Sequence, residues 1–493
     1  MSVETQHKEY TGAAGKWTRC RDVVDGEDAV KAKRQEYLPK TSTKQKPAAY
    51  TAYLTRALFY GATGRTVQGL TGAIFGKAPV IQAPKSLDAH LNDVTLSGIP
   101  IQSFAQDRVT EVLTVGRDGV LLDIATGSGA DARPYWISYA AENVINWRTT
   151  TIGGDTKLTR VVLRECVEEA DSDDTFSVRE KVQYRVCELI ARPPKPDGTP
   201  STAPAVYQVT VWKQATKDGG WSADAPVVPT RRGEALTFIP FVFFNPSNLL
   251  PSISKPPLLD LVNVNLSHYR SSADLEHGAH YTALPQPVVS GYEGESLEIG
   301  ASVAWVLKNE NAKAEMLEFT GQGLNALEKR LEHKEKQMAI LGARLLEGQV
   351  TKQEAAETVK LRHSGDAVVL KTTAMTISLG LTILLRWHAW WTGAVAEPND
   401  DKISVALNTD FVATRLTAEE LKALVLALQA GAISFETFQH ALTRGDWSEP
   451  GIDVETERKR IDAGPGLEQD DDDDEDLDDV DDPNKGKGTG ANA

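Results

Sequence analysis

His277 and His280 stand three residues apart on a helical stretch, a spacing at which two imidazoles could share a metal ion, with Glu276 beside them. The HExxH order of a zinc hydrolase is missing, and none of Cys20, Cys166 and Cys187 lies near. The pair therefore reads as solvated or interface histidines. Gly61-Ala-Thr-Gly64-Arg65-Thr66 invites a phosphate loop, but that motif needs four residues between its glycines and then Lys-Ser/Thr. Gly72-Ala-Ile-Phe-Gly76-Lys77 fails too, because Ala78 stands where the hydroxyl should be. Close helix packing at glycine is the expectation for both. Gly127-Ser128-Gly129 lacks the strand-to-helix elbow of a hydrolase and reads as a turn. Asp470 to Asp474 lack the glycine and spaced ligands of an EF-hand. Trp387, Trp390 and Trp391 could stack on bases, but they end an apolar helix and are expected to pack against the β-rich block. No catalytic, metal or cofactor site is expected, and the chain reads as a non-enzyme.

The remaining chemistry is charge on a helix. Residues 320–346 place Leu324, Leu327, Leu331, Met338, Leu341 and Leu345 at three-, four- and seven-residue steps, the apolar stripe of an amphipathic helix. Between them lie Glu328, Lys329, Arg330, Glu332, His333, Lys334, Glu335 and Lys336. About 27 helical residues span roughly 40 Å, more than a small domain needs, so this helix must lean on something beyond its local fold.

The elements that would position it follow in order. Residues 1–48 are polar, with Tyr10 and Trp17 as possible anchors and Tyr37-Leu38-Pro39 as the firm apolar point. Residues 49–70 and 101–115 read as helices, the second ended by Gly116. Residues 120–124 read as a strand, 134–147 as a strand and a turn, 161–167, 182–189 and 207–212 as strands, and 238–244 as an edge strand with Pro240 inside it. Pro256-Pro257 opens a helix to about 280, and 284–319 looks like a small β-containing insert. After a break near Gly348 an apolar helix runs to Trp391, and 403–407 reads as a strand. Thr417 and Glu420 form a capping box, and Ser434 caps a further helix. The class is α+β.

Net charge is −16, but twelve of the acids lie in residues 468–482, followed by Lys485 and Lys487, so the rest of the chain carries only about −6. The bulk basic patch of a tight duplex binder is absent. Three scattered cysteines form no metal spacing or disulfide framework. No signal peptide is read at the N-terminus, and the apolar run 372–385 is shorter than the roughly 20 residues that span a bilayer, so no membrane is expected. Residues 463–493 are read as a disordered acidic tail.

In this order the chain resembles the portal (head-to-tail connector) proteins of tailed bacteriophages, in their compact portal-like family. The strings that carry the resemblance are Glu36-Tyr-Leu-Pro39, Arg56-Ala-Leu-Phe59, Gly69-Leu-Thr-Gly-Ala-Ile-Phe75 and Gly116-Arg-Asp-Gly-Val-Leu-Leu-Asp123. Arg133-Pro-Tyr135, Tyr139-Ala-Ala-Glu-Asn-Val-Ile-Asn-Trp147 and Pro257-Leu-Leu-Asp-Leu-Val-Asn-Val-Asn-Leu-Ser-His-Tyr269 follow. Gln337-Met-Ala-Ile-Leu-Gly-Ala-Arg-Leu-Leu346 and Glu357-Thr358 complete the set, which covers roughly residues 35–450.

The resemblance implies a ring, usually of about twelve subunits, around an axial DNA channel. It would divide the chain into an N-terminal arm (1–48), the first part of a β-rich wing (49–255), a stem helix (256–281), a clip (282–319), a second stem helix (320–346), a tunnel loop (347–356), the rest of the wing (357–411), a helical crown (412–462) and the acidic tail (463–493). Lys329, Arg330, Lys334, Lys336, Arg344, Gln349 and Lys352 are the DNA-channel candidates. The implied partners are further copies of the chain, double-stranded DNA, the terminase large subunit, the major capsid or scaffolding protein, and a head-completion or tail adaptor. The implied location is the portal vertex of a virion assembled in the host cytoplasm. The alternative is a static adaptor or scaffold of the virion without a lumen.

Overall fold

The computed structural model describes residues 2–124, 133–152, 154–170, 176–192, 203–214, 219–282, 286–291, 311–317, 323–342, 356–411, 418–444 and 454–462. The protein is mixed helix and sheet, 46% helical and 24% strand, the α+β class expected. It divides into two compact units, Met1–Phe411 and Val412–Ala493. The helices of the first are α1 (Lys8–Asp25), α2 (Glu27–Ala32), α3 (Pro47–Arg56), α4 (Ala62–Ile74), α5 (Asp88–Leu91), α6 (Ile101–Val115), α7 (Leu259–Thr282), α8 (Leu324–Leu341) and α9 (Ala356–Thr392). Its strands are β1 (Val80–Gln82), β2 (Asp118–Ile124), β3 (Pro134–Ala140), β4 (Val144–Ile152), β5 (Asp155–Ala170), β6 (Val178–Ile190), β7 (Val206–Gln214), β8 (Trp221–Ala223), β9 (Thr230–Arg231), β10 (Glu234–Ala235), β11 (Phe241–Phe244), β12 (Gln286–Ser290), β13 (Lys313–Leu317) and β14 (Ser404–Ala406).

Alternating β-branched and aromatic residues make the β-rich block. β4 to β8 form one antiparallel sheet in sequence order, and the runs read at 161–167, 182–189 and 207–212 are the middles of β5, β6 and β7. A second sheet has the order β11-β2-β3. β11 is an edge strand that begins just after Pro240, as a residue without an N–H to donate requires. α6 ends at Gly116, whose φ of 74° is left-handed. A side chain there would also press a Cβ to 2.9 Å from Pro256 Cα, so both conformation and space select glycine.

α9 is the beam of the first unit. Its stretch Val369–Thr392 is long and apolar enough, by length and composition, to cross a membrane, and 56% of that window is buried inside the protein. Leu370, Ala374, Ile377, Leu381, Leu384, Leu385 and Ala389 are buried, and the helix packs on α6, β2, β3, β11 and β14. Its hydroxyls pair with the short strand that covers it. Thr382 Oγ1 accepts from Val405 N at 2.9 Å, Ser378 Oγ accepts from Leu407 N at 3.0 Å, and Arg386 Nε donates to Ile403 O at 3.0 Å. Gly380 admits Phe244, since a Cβ there would lie 2.3 Å from the Phe244 ring.

Tyr10, Trp17, Tyr37 and Leu38, the anchors and apolar point read within residues 1–48, are buried, and the polar segment around them is helical and part of the core rather than a separate arm. α1 lies in the core, burying Tyr10, Ala13, Trp17, Cys20 and Val23 along one face, and α2 adds Val30. Arg21 ties α1 to two elements at once. It is bidentate to Glu111 of α6 (3.1 and 2.8 Å) and to Glu142 (2.7 and 2.9 Å) in the turn between β3 and β4. α4 meets α1 at Gly64, where a Cβ would sit 2.7 Å from the Val24 carbonyl oxygen. Close packing is thus the use of that glycine.

β12 and β13 pair antiparallel within 282–319, the β character read there. Gly127-Ser128-Gly129, the break near Gly348 with most of 347–356, and the tail 463–493 lie outside the described residues. The second unit holds α10 (Ala418–Gln429), α11 (Phe435–Arg444) and α12 (Val454–Asp462). Ser434 caps α11 by accepting from Thr437 N at 3.2 Å, and the Arg458 guanidinium of α12 sits 5.5 Å from the Phe435 ring.

Candidate nucleic-acid interface

α7 and α8 form an antiparallel pair. Its register is fixed at four levels: Leu261 beside Gly342, His268 beside Glu335, Ser271 beside Lys334, and Gly278 beside Leu324. α7 is rooted in the core through Leu261, Val262, Asn265, Leu266, Tyr269 and Ala273. Asn265 locks it to α4 and the turn before it, accepting from the Thr63 hydroxyl at 2.8 Å and donating to Tyr60 O at 2.8 Å. Tyr53 Oη donates to Asp274 Oδ1 at 2.6 Å, which adds α3. Beyond Ala273 no residue of α7 is buried.

α8 stands on this support by a narrow seam. Leu331 and Met338 are its only buried side chains, with Leu324 and Leu327 half-buried. Residues about 100° apart around a helix make its other charges fall into rows. Glu328, Glu332 and Glu335 line one flank; Lys329, His333 and Lys336 form the crest opposite the seam; Arg330, Lys334 and Gln337 line the other flank. The face that reads as mixed charge along the sequence is segregated around the helix. That segregation follows from spacing alone and was legible in the sequence, though reading the residues in linear order hides it.

The crest residues Lys329 and Lys336 are exposed, as is Arg330 on the flank. Among the described residues none of these three makes an ion pair. Lys334 is different. Its Nζ donates to Ser267 O at 2.8 Å and to Ser271 Oγ at 2.7 Å on α7, so its ammonium is committed to the helix pair. Burial lowers its pKa, with Arg330 and Arg270 adding repulsion. Beside it, His268 Nε2 lies 3.2 Å from Glu335 Oε1, and burial holds the His268 imidazole below its ordinary range. Arg344, Gln349 and Lys352 lie outside the described residues.

The other sequence candidates have internal partners. His277 packs edge-on between the rings of Tyr53 (5.1 Å) and Tyr281 (4.9 Å), and Arg56 Nη2 lies 2.9 Å from His280 Nε2, which fixes that nitrogen as the acceptor. Among the described residues no three His, Cys, Asp or Glu side chains gather as a metal site. Trp391 is buried, Trp387 and Trp390 pack on Phe238, and the Arg231 guanidinium stacks 4.4 Å from the Trp390 ring, against the β-rich block as expected. A cleft near His7, Trp147 and Arg148 has its acid engaged as well, since Glu9 Oε2 accepts from Ile253 N at 2.9 Å.

Fold and site together define an α+β protein whose presented chemistry is a charged helix on a rooted partner. Residues 257–392, which hold that pair and α9, match a family described as a domain of unknown function (DUF4055). No curated protein matches the chain. Among solved structures the chain is similar to a component of the neck of a native gene transfer agent (GTA) particle computed with C12 symmetry. The identity is 11% and the TM-score 0.39, over 81% of this chain and 94% of that one. It is similar to a component of the neck of an empty particle computed with C6 symmetry (12%, 0.39, 80% and 93%) and to one in the virion of the native particle (11%, 0.38, 84% and 98%).

Proposed function

We propose that the chain is a phage-type portal protein: a non-enzymatic subunit that closes into a ring at a virion vertex and passes double-stranded DNA. The observation that carries the proposal is the α7–α8 pair. One helix is built into the core while the other, about 27 Å long, exposes a crest whose lysines, Lys329 and Lys336, stand about 10 Å apart along its axis. The order of the sequence strings shared with portals supports the same reading. So do the exposed apolar side chains of α9, where Val369, Met375 and Leu379 are each more than half exposed beside the buried face of the helix, as a subunit contact requires.

In this reading α7 and α8 are the stem, the segment holding β12 and β13 is the clip, the β-rich block with α9 is the wing, and the second unit is the crown. Lys329 and Lys336 face the lumen, and the nearby glutamates keep the wall from holding DNA. Each neutralised phosphate adds affinity through counterion release, and a duplex that must slide cannot be gripped. Packaging would dock a terminase on one end of the ring, and a head-completion or tail adaptor would follow. Capsid or scaffolding protein would surround the ring during assembly.

Electron microscopy of the purified full chain tests this. Rings with a central hole wide enough for a duplex are expected. A strict monomer at every concentration overturns the proposal, and a closed assembly without a hole favours a static adaptor of the virion.

A further inference from the structure

We infer that α8 is the lateral contact between neighbouring copies of this chain, with the glutamate flank of one copy, Glu328 and Glu332, set against the basic flank of the next, Arg330 with Arg270 of α7. The inference deepens the ring reading and rests on it.

Three observations carry it. First, the flanks bear opposite charge and cannot satisfy one another within a copy. Glu328 and Arg330 are two residues apart, on nearly opposite sides of the helix, where side chains do not meet. Second, each flank is a like-charge pair at the spacing that brings side chains together: Glu328 with Glu332, and Arg330 with Lys334. Such pairs destabilise a helix unless an outside charge relieves them. Arg270 adds to the positive side, close enough to Lys334 to disfavour its ammonium form. Third, the charges are available. Glu328, Glu332 and Arg330 are exposed and, among the described residues, make no ion pair. Lys329 and Lys336 lie within helical reach of Glu332, yet neither closes on it. Glu335, by contrast, is already engaged by His268, and Lys334 by Ser267 and Ser271.

Symmetry then selects the arrangement. A two-fold axis places the same flank of α8 against itself, glutamate on glutamate or arginine on arginine. A rotation other than 180° places unlike flanks together, the heterologous contact that closes into a ring. The seam faces α7, the two flanks face neighbours, and the crest of Lys329, His333 and Lys336 remains for the lumen.

The test uses two full-length variants. E328K/E332K carries two basic flanks, and R270E/R330E carries two acidic ones. All four positions are exposed, so both should keep the wild-type melting curve. By mass photometry and electron microscopy the wild type should form rings, each variant alone should lose the ring peak, and an equimolar mixture should restore it. A variant that assembles alone as the wild type does overturns the inference, as does a mixture of folded variants that stays unassembled. A wild type that forms no closed assembly instead overturns the ring reading beneath it.

Discussion

His388 Nε2 lies 3.0 Å from His90 Nδ1, joining the buried face of α9 to the short helix α5 through two imidazoles. Only one of the two nitrogens can carry the proton. His388 is almost fully buried, and its Nδ1 has no partner among the described residues. A proton on Nε2 leaves a bare lone pair inside the protein, whereas the other tautomer would bury an unpaired N–H, so Nε2 is the donor. Trp136 stacks edge-on at 6.3 Å, and Arg133, held by Asp93, supplies the nearby positive charge.

Burial, and behind it His90 and Arg133, depresses the His388 pKa to about 3 from an ordinary value of 6.5. The folded state therefore holds this group neutral while the unfolded chain protonates it. Its stability contribution is present above about pH 6.5 and is lost as pH falls from there toward 3, at up to about 1.4 kcal/mol per pH unit. The wild type should lose about 2 kcal/mol between pH 7 and pH 5 from this group, read as a fall in melting temperature. His388→Gln should flatten that fall. An equal slope in both proteins would assign it to other groups.

Gly380 lies inside α9, where alanine would ordinarily gain about 1 kcal/mol of helix propensity. Here the sign should reverse. A Cβ at this position falls 2.3 Å from Phe244 Cε1 and 2.8 Å from Cζ, and Phe244 is fully buried. Gly380→Ala should destabilise the protein by about 1 to 3 kcal/mol through overpacking. Phe244→Leu should make the alanine less harmful than it is alone, so a double-mutant cycle should show favourable coupling. Additive effects would mean that the ring moves aside freely.

What the sequence made legible follows local rules. The strands from 120 onward, the end of α6 at Gly116 and the cap at Ser434 each come from residues acting within a few positions of themselves. The core role of α1 was legible only at Tyr10 and Trp17. Tyr10, Ala13, Trp17, Cys20 and Val23 do keep a helical period, but two of the five are small, and polar residues fill the rest of the first 48 positions. The buried Arg108–Asp118 pair, 2.8 Å apart, was hidden for another reason. Gly116-Arg117-Asp118-Gly119 has the composition of an exposed turn, and only tertiary structure places Arg117 between Trp147 and Phe243 and Asp118 in the core. At the candidate site, helical spacing identifies which charges share a row. Which cation the neighbouring helix takes up depends on Ser267 and Ser271, 63 to 67 residues away.

Trp17 tests the corrected role of α1. It is fully buried, with the Tyr10 ring edge-on at 5.4 Å. Trp17→Ala should cost about 3 to 5 kcal/mol, the range for removing a large aromatic side chain from a core. Deletion of residues 1–26 should leave the remaining chain insoluble or unfolded, because it uncovers α4, α6 and α7 at once. A deletion protein with the wild-type melting temperature would restore the reading of this segment as an N-terminal arm.

The lysines of α8 should separate structure from function. Lys334→Met keeps the aliphatic stem but removes the donor to Ser267 O and Ser271 Oγ, and should destabilise the helix pair by about 1.5 to 3 kcal/mol, the range for hydrogen bonds made by a charged group. Lys329→Ala and Lys336→Ala remove exposed charges that make no ion pair among the described residues, and should change stability by less than about 0.5 kcal/mol. Their effect should appear with DNA instead. If the crest faces a duplex, the double variant should form normal rings whose retention of short duplex DNA depends less steeply on salt than that of the wild type, by about one unit of log–log slope for each phosphate no longer neutralised. Thermal melts, ring imaging and a salt titration of DNA binding measure the three quantities separately. A double variant with an unchanged salt slope would remove the crest from the DNA path, and an unaltered melting temperature in Lys334→Met would show that its bonds to Ser267 and Ser271 do not hold the helix pair together.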